Sequence, residues 1–183
     1  MPNPGIQPGI MMYGPVTQYG PNLLSKAASS FEDGSIGAWI NVFNLVPTNT
    51  TAQAFDGTHS LLGTASVGST VYFGSPVPPG AGAIPVSPNI AYCATAYLLA
   101  GQVGRTALAQ LRWYDSSNTL LVSSPAGPTI NLSTTLWSLI YANGVAPSNA
   151  AFGHVVIALG ATAINDTIYA DLVSFNQGAY YPT

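Results

Sequence analysis

"RTALAQLRWYD" (residues 105–115) alternates with period two: Ala107, Ala109, Leu111 and Trp113 fall on one side, and Leu108, Gln110, Arg112 and Tyr114 on the other. Successive side chains of a strand point to opposite faces, so the stretch reads as a half-buried β-strand. Working outward, "NIAYCATAYLLAG" (89–101), "TLWSLIYANG" (135–144), "FGHVVIALG" (152–160) and "DTIYADLVSF" (166–175) are also of strand type, rich in β-branched and aromatic residues. Between them lie "YDSSNT", "SPAGPT", "APSNAA" and "AINDT", which are turn compositions. No segment offers ten residues of clean helical period. Short strands separated by polar turns predict an all-β fold, an antiparallel sandwich or barrel. Trp39, Trp113 and Trp137 are expected in its core.

The chain has 183 residues, enough for one domain with extensions, and 48 % of them are hydrophobic. Only 5 % are charged, against about 25 % in an ordinary soluble domain. Three scattered cations, Lys26, Arg105 and Arg112, make no basic patch of the kind nucleic acid requires. The polar residues are mostly neutral, which suits sugars or burial against other subunits. The single cysteine, Cys93, has no disulfide partner and reads as a buried thiol. No apolar run approaches the roughly 18 residues of a membrane span. The N-terminus lacks the basic and apolar regions of a secretory signal, so the expectation is synthesis in a cytosol without standard secretion.

Residues 1–21, "MPNPGIQPGIMMYGPVTQYGP", hold five prolines, four glycines and no charge. Proline and glycine deny the arm a fold of its own, yet it carries Ile6, Ile10, Met11, Met12, Tyr13 and Tyr19. These side chains are expected to be assembly contacts, buried against another subunit. The organisation read from the sequence is therefore an arm (1–21), a β-domain (22–176) and an uncharged tail (177–183).

The order of motifs across 22–175 resembles the family 4/9-type carbohydrate-binding modules. "NLLSKAASSFEDGSIGAW" is similar to their opening and "DGTHSLLG" to their next strand; "VSPNIAYCATAYLLAG" and "LRWYDSSNTLL" are similar to later ones. "TTLWSLIYANGVAP" and "IYADLVSF" complete the series. The resemblance implies a non-catalytic jelly-roll sandwich, galactose-binding-like, often with one structural calcium. It places Glu32 and Asp171 as the carboxylates that help hold the metal, which takes six to eight oxygen ligands. The alternative role for both is to cap turns or face solvent.

Catalytic motifs are missing. His59 and His154 lie in no metal-ligand spacing and read as packing or hydrogen-bonding residues; no nucleophile elbow is present. Asp33, Asp56, Asp115 and Asp166 neighbour Gly, Ser or Asn and read as turn residues. For glycan binding, the face bearing Gln110, Arg112 and Tyr114 combines a flat ring with hydroxyl-reading groups, and Tyr97 on an adjacent predicted strand is expected to join it. An ordinary solvated sheet is the alternative. A sugar-binder core, a nearly neutral surface and apolar unstructured ends together point to a bacteriophage virion protein, a minor tail or decoration protein touching host polysaccharide. Its partners would be other virion proteins, further copies of itself and a cell-surface glycan. The competing expectation is a free-standing or enzyme-appended polysaccharide-binding module.

Overall fold

The computed structural model describes residues 20–160 and 163–180. The expected assembly contacts Ile6, Ile10, Met11, Met12, Tyr13 and Tyr19 lie outside the described residues.

Two antiparallel sheets pack face to face. The first holds β1 (Ile40–Phe43), β4 (Val71–Gly74), β11 (Phe152–Gly160), β7 (Thr106–Tyr114) and β8 (Leu120–Ser123) in that order, with the short β5 (Ile84–Pro85) and β9 (Ile130–Asn131) on its margins. The second runs β10 (Ser138–Val145), β6 (Ala91–Ala100), β12 (Thr167–Gln177), β3 (Ser60–Ala65), β2 (Leu45–Thr50). This is the antiparallel sandwich that the strand pattern predicts, of the jelly-roll type that the resemblance implies.

The alternation of β7 holds: Ala107, Ala109, Leu111 and Trp113 are buried between the sheets. Across them lie Ala94, Ala96 and Leu98 of β6, and Ile168, Ala170, Val173 and Phe175 of β12. Trp39 closes one part of the core, edge-on to Phe31 and Phe73 at 6.2 and 5.4 Å, with its indole N–H donating to the Ala28 carbonyl over 2.8 Å. The bond leaves no polar atom of this ring unpaired inside an apolar interior. The single helix described, α1 (Lys26–Ser30), is capped by Ser25, whose Oγ accepts from the Ala28 N–H, and ends at Phe31 in the left-handed region.

One expectation is corrected. Trp137 is not in the core; it precedes β10 and is only partly buried, outside the sandwich. Asp166 closes the turn 163–166 as expected, its N–H donating to the Ala163 carbonyl and its carboxylate accepting from the Ala163 N–H. It is also buried, and its carboxylate pairs with the Arg105 guanidinium at 2.7–2.8 Å, which holds the acid below the usual carboxylate range. Cys93 is buried as expected, and desolvation pushes its thiol up to about 11.

Candidate functional site

β6 and β7 are consecutive, but the connection Gly101–Arg105 carries the chain from one sheet to the other. Tyr97 on β6 therefore lies in the five-stranded sheet, while Gln110, Arg112 and Tyr114 lie on β7 in the seven-stranded one. Their partners in alternation fill the core, so the two groups face outward on opposite sides of the sandwich. The expected platform of four residues is not assembled.

On the β7 side, Gln110 donates to the Ser124 carbonyl. Arg112 pairs in register with His154 of β11, which is 1 % exposed and finds no hydrogen-bond partner for either ring nitrogen. Gly74 makes room for this ring, since a Cβ there would lie 2.1 Å from Nε2. Burial, aided by the Arg112 charge, pushes His154 down to about 3 from 6.5. Within that window the unfolded chain binds the proton and the folded one does not, so stability must fall as pH drops from 6.5 toward 3. We expect His154→Gln to flatten the fall in melting temperature between pH 7 and 5; an unaltered slope would show that other groups carry it.

On the other side, Tyr97 gains two aromatic neighbours that sequence reasoning missed. Phe55 stacks on it with ring centroids 3.8 Å apart at 10°, and Trp137 meets Phe55 edge-on at 5.9 Å and 68°. Phe55 stays 42 % exposed. Next along β10, Tyr141 packs against Tyr180 of the tail at 5.0 Å. Between and beside these rings lie small neutral groups: Thr95 and Ser174, joined by a 2.8 Å hydrogen bond, and Asn143, which bonds the Tyr180 backbone. Asp171, opposite Tyr97 on β12, is fully buried. The described strands of this face thus present flat rings and hydroxyls with no exposed charge.

The position of Phe55 is set by two carboxylates. Asp171 Oδ2 accepts the Phe55 and Asp56 N–H groups at 2.9 and 3.0 Å, and its Oδ1 accepts Leu172 N–H at 2.7 Å. Glu32 accepts the Thr58 and His59 N–H groups and the Thr58 hydroxyl. Burial raises Asp171 above the usual carboxylate range, with the nearby Glu32 charge adding to it and the amide bonds opposing; those to His59 and Thr58 lower Glu32. Loop 53–59 is further tied by Ser60 Oγ donating to the Gln53 carbonyl at 2.6 Å.

Glu32 and Asp171 do converge, as the resemblance implies, but the fit to calcium is poor as arranged. The backbone turns five N–H groups toward them, whereas calcium takes oxygens. Among the described residues no third Asp, Glu, His or Cys joins them in a group able to hold a metal. The pair grips a loop through amides.

Gly57 shows how tight this grip is. Its φ is +69°, and a Cβ there would sit 2.5–2.7 Å from the Glu32 carboxyl. Gly57→Ala is expected to cost about 1–3 kcal/mol through strain and displacement of Glu32. Thermal melting checks this; a change below about 0.5 kcal/mol would contradict it.

No family model matches the chain, and no curated protein does. Solved structures share its fold. The CBM22-1 xylan-binding domain of Paenibacillus barcinonensis Xyn10C is 15 % identical, over 88 % of this chain and 97 % of that one, with a TM-score of 0.67. The C-terminal family 22 carbohydrate-binding module of Clostridium thermocellum Xyn10B is 20 % identical, over 84 % and 92 %, with a TM-score of 0.62. The enzymatically active domain of bacteriophage CBA120 tailspike protein 4 is 15 % identical, over 86 % of this chain and 21 % of that one, with a TM-score of 0.59. These likenesses place the chain in the fold of carbohydrate-binding modules.

Proposed function

We propose that this protein is a non-catalytic carbohydrate-binding module that holds a neutral polysaccharide on the outer face of its five-stranded sheet. The observation that carries the reading is the Phe55–Tyr97–Trp137 cluster on a face whose described strands carry no exposed charge. Ring faces cover the C–H surfaces of a sugar, while Thr95, Ser174 and Asn143 are of the kind that read hydroxyls. The fold shared with a xylan-binding domain and with a family 22 carbohydrate-binding module supports it. Gel electrophoresis through embedded polysaccharide tests it. Xylan or mixed-linkage glucan should retard the protein, and the polyanions alginate and pectate should not. Retardation by the polyanions alone, or by none of the four, would overturn the reading.

We propose further that amide donors do here what calcium does in the modules that the sequence resembles. Chelation should then leave the melting temperature unchanged. A drop of several degrees restored by calcium would overturn this.

A second reading, a bacteriophage tail or decoration protein, draws support from the tailspike domain that shares the fold and from the uncharged Pro/Gly arm. In that case the arm would join copies or other virion proteins, and the full chain would be oligomeric or particle-bound.

A further inference from the structure

We propose that the tail at Gly178–Tyr180 is the second wall of the glycan site, and that the trough it makes with loop 53–59 admits an unbranched chain and turns away a branched one. This inference rests on the glycan reading above.

The outward side chains of β10, β6 and β12 form three rows across the five-stranded sheet. Strand pairing puts Leu139, Tyr97 and Asp171 in the first, Tyr141, Thr95 and Ser174 in the second, and Asn143, Cys93 and Asn176 in the third. Loop 53–59 roofs the first row: Phe55 stacks on Tyr97, and Asp171, bonded to the loop amides, is fully buried. The third row is roofed as well. Asn143 accepts the Tyr180 N–H and donates to the Tyr180 carbonyl, both at 2.8 Å. Gly178 N–H donates to the Ala91 carbonyl, and the Gly20 carbonyl accepts from Asn176. Tyr92 and Ala94 face the core, which puts Cys93 on the outer side, yet it is only 1 % exposed.

The middle row is left open, with Tyr141, Thr95 and Ser174 each partly buried. Alternate residues of a strand lie about 6.6 Å apart, so the roofed rows stand about 13 Å apart, and three strands make the open row about 10 Å long. The result is a trough one row wide that crosses the strands and runs out at β10, the edge of this sheet. Both walls carry rings: Phe55 and Trp137 on one side, and Tyr180, against Tyr141 at 5.0 Å, on the other. The floor carries hydroxyls. Thr95 and Ser174 share one 2.8 Å bond, so the accepting hydroxyl keeps its own hydrogen for a ligand.

A sugar chain laid in this trough meets a wall on each flank. A bare chain places C–H surface against the rings and a hydroxyl on the floor. A branch that projects sideways has no room unless the tail or Phe55 is displaced, so the walls select by clash as well as by contact. Tyr180 contacts the chain. Asn143 is a positioning residue, since its amide holds the Tyr180 backbone at both polar atoms.

Isothermal titration of the full chain with xylohexaose, and with xylohexaose bearing arabinofuranosyl branches on its inner residues, tests this. The bare chain should bind more tightly by about tenfold or more. Tyr180→Ala should cut that ratio at least several-fold, and Asn143→Ala, which frees the tail without removing its ring, should do the same. A merely structural effect of either change would weaken both sugars alike and leave the ratio where it was. That outcome, or equal affinity of the unaltered protein for the two sugars, would overturn the tail as a wall and leave the glycan reading standing. No binding of xylohexaose or cellohexaose would overturn the glycan reading itself, and this inference with it.

Discussion

Tyr97→Ala is expected to weaken binding of a neutral oligosaccharide by tenfold or more. The ring has two functions. It belongs to the aromatic platform, and its face is the floor against which Phe55 stacks at 3.8 Å. Without it Phe55 loses its partner, and Trp137, which meets Phe55 edge-on, loses its support in turn. Aromatic pairs contribute about 0.5–1.5 kcal/mol beyond the area they bury, and every 1.4 kcal/mol is tenfold in affinity. Phe55→Ala and Trp137→Ala should each show the same direction of change. Gln110→Ala and Tyr114→Ala, on the opposite sheet, should leave affinity within about twofold. Isothermal titration of the five proteins against one xylo-oligosaccharide checks the set. Equal loss from both faces would contradict it.

Asp171→Ala should produce the largest loss of stability of any single change discussed. The fully buried carboxylate accepts from Phe55, Asp56 and Leu172, and it lies at the irregularity where β12 shifts register against β6 between Asp171 and Ser174. Leu172 there has a φ of 44°, a strained conformation for a branched residue that the Asp171 Oδ1 bond helps to hold. Removing the carboxylate leaves three amides without acceptors and frees the loop that carries Phe55. A buried donor left unpaired costs about 1–3 kcal/mol. Because the loop amides can recruit water, the expected total is about 2–4 kcal/mol, or roughly 5–15 °C in melting temperature. Asp171→Asn should restore it only in part, since its one carbonyl oxygen can still accept from Phe55 and Asp56 while its NH2 would meet the Leu172 N–H. Glu32→Ala should cost less, because Glu32 is partly open to solvent. Glycan affinity should fall with loop order in both variants. A stable Asp171→Ala protein with wild-type affinity would show that the loop is held by something else.

The fold was legible in the sequence because its strands alternate cleanly. β7 states its buried face in its own residues, and β11 and β12 announce themselves by β-branched and aromatic content. The buried indole of Trp113 was legible for the same reason. The site was less so. "GQVGR" (101–105) has the length and glycines of a hairpin loop, and nothing local says that the chain changes sheets there. Tyr97 was thus read with the wrong neighbours. Trp137 was misread because its place just outside β10 depends on Phe55, which sits 82 residues earlier in a loop of no periodicity. The available signal for Phe55 was faint: a lone ring beside "DG" in an otherwise small and polar stretch. Glu32 and Asp171 both hold loop 53–59, but the polarity of the backbone facing them is a property of the folded loop.

The central claim is that a neutral glycan rests on the five-stranded sheet's outer face. Amide and indole chemical shifts recorded while a xylo-oligosaccharide is titrated into the full chain test it most directly. The account predicts saturable shifts at Phe55, Tyr97 and the Trp137 indole, with little change along Gln110, Arg112 and Tyr114. Shifts confined to the β7 face, or none up to millimolar sugar across neutral xylo- and gluco-oligosaccharides, would contradict it.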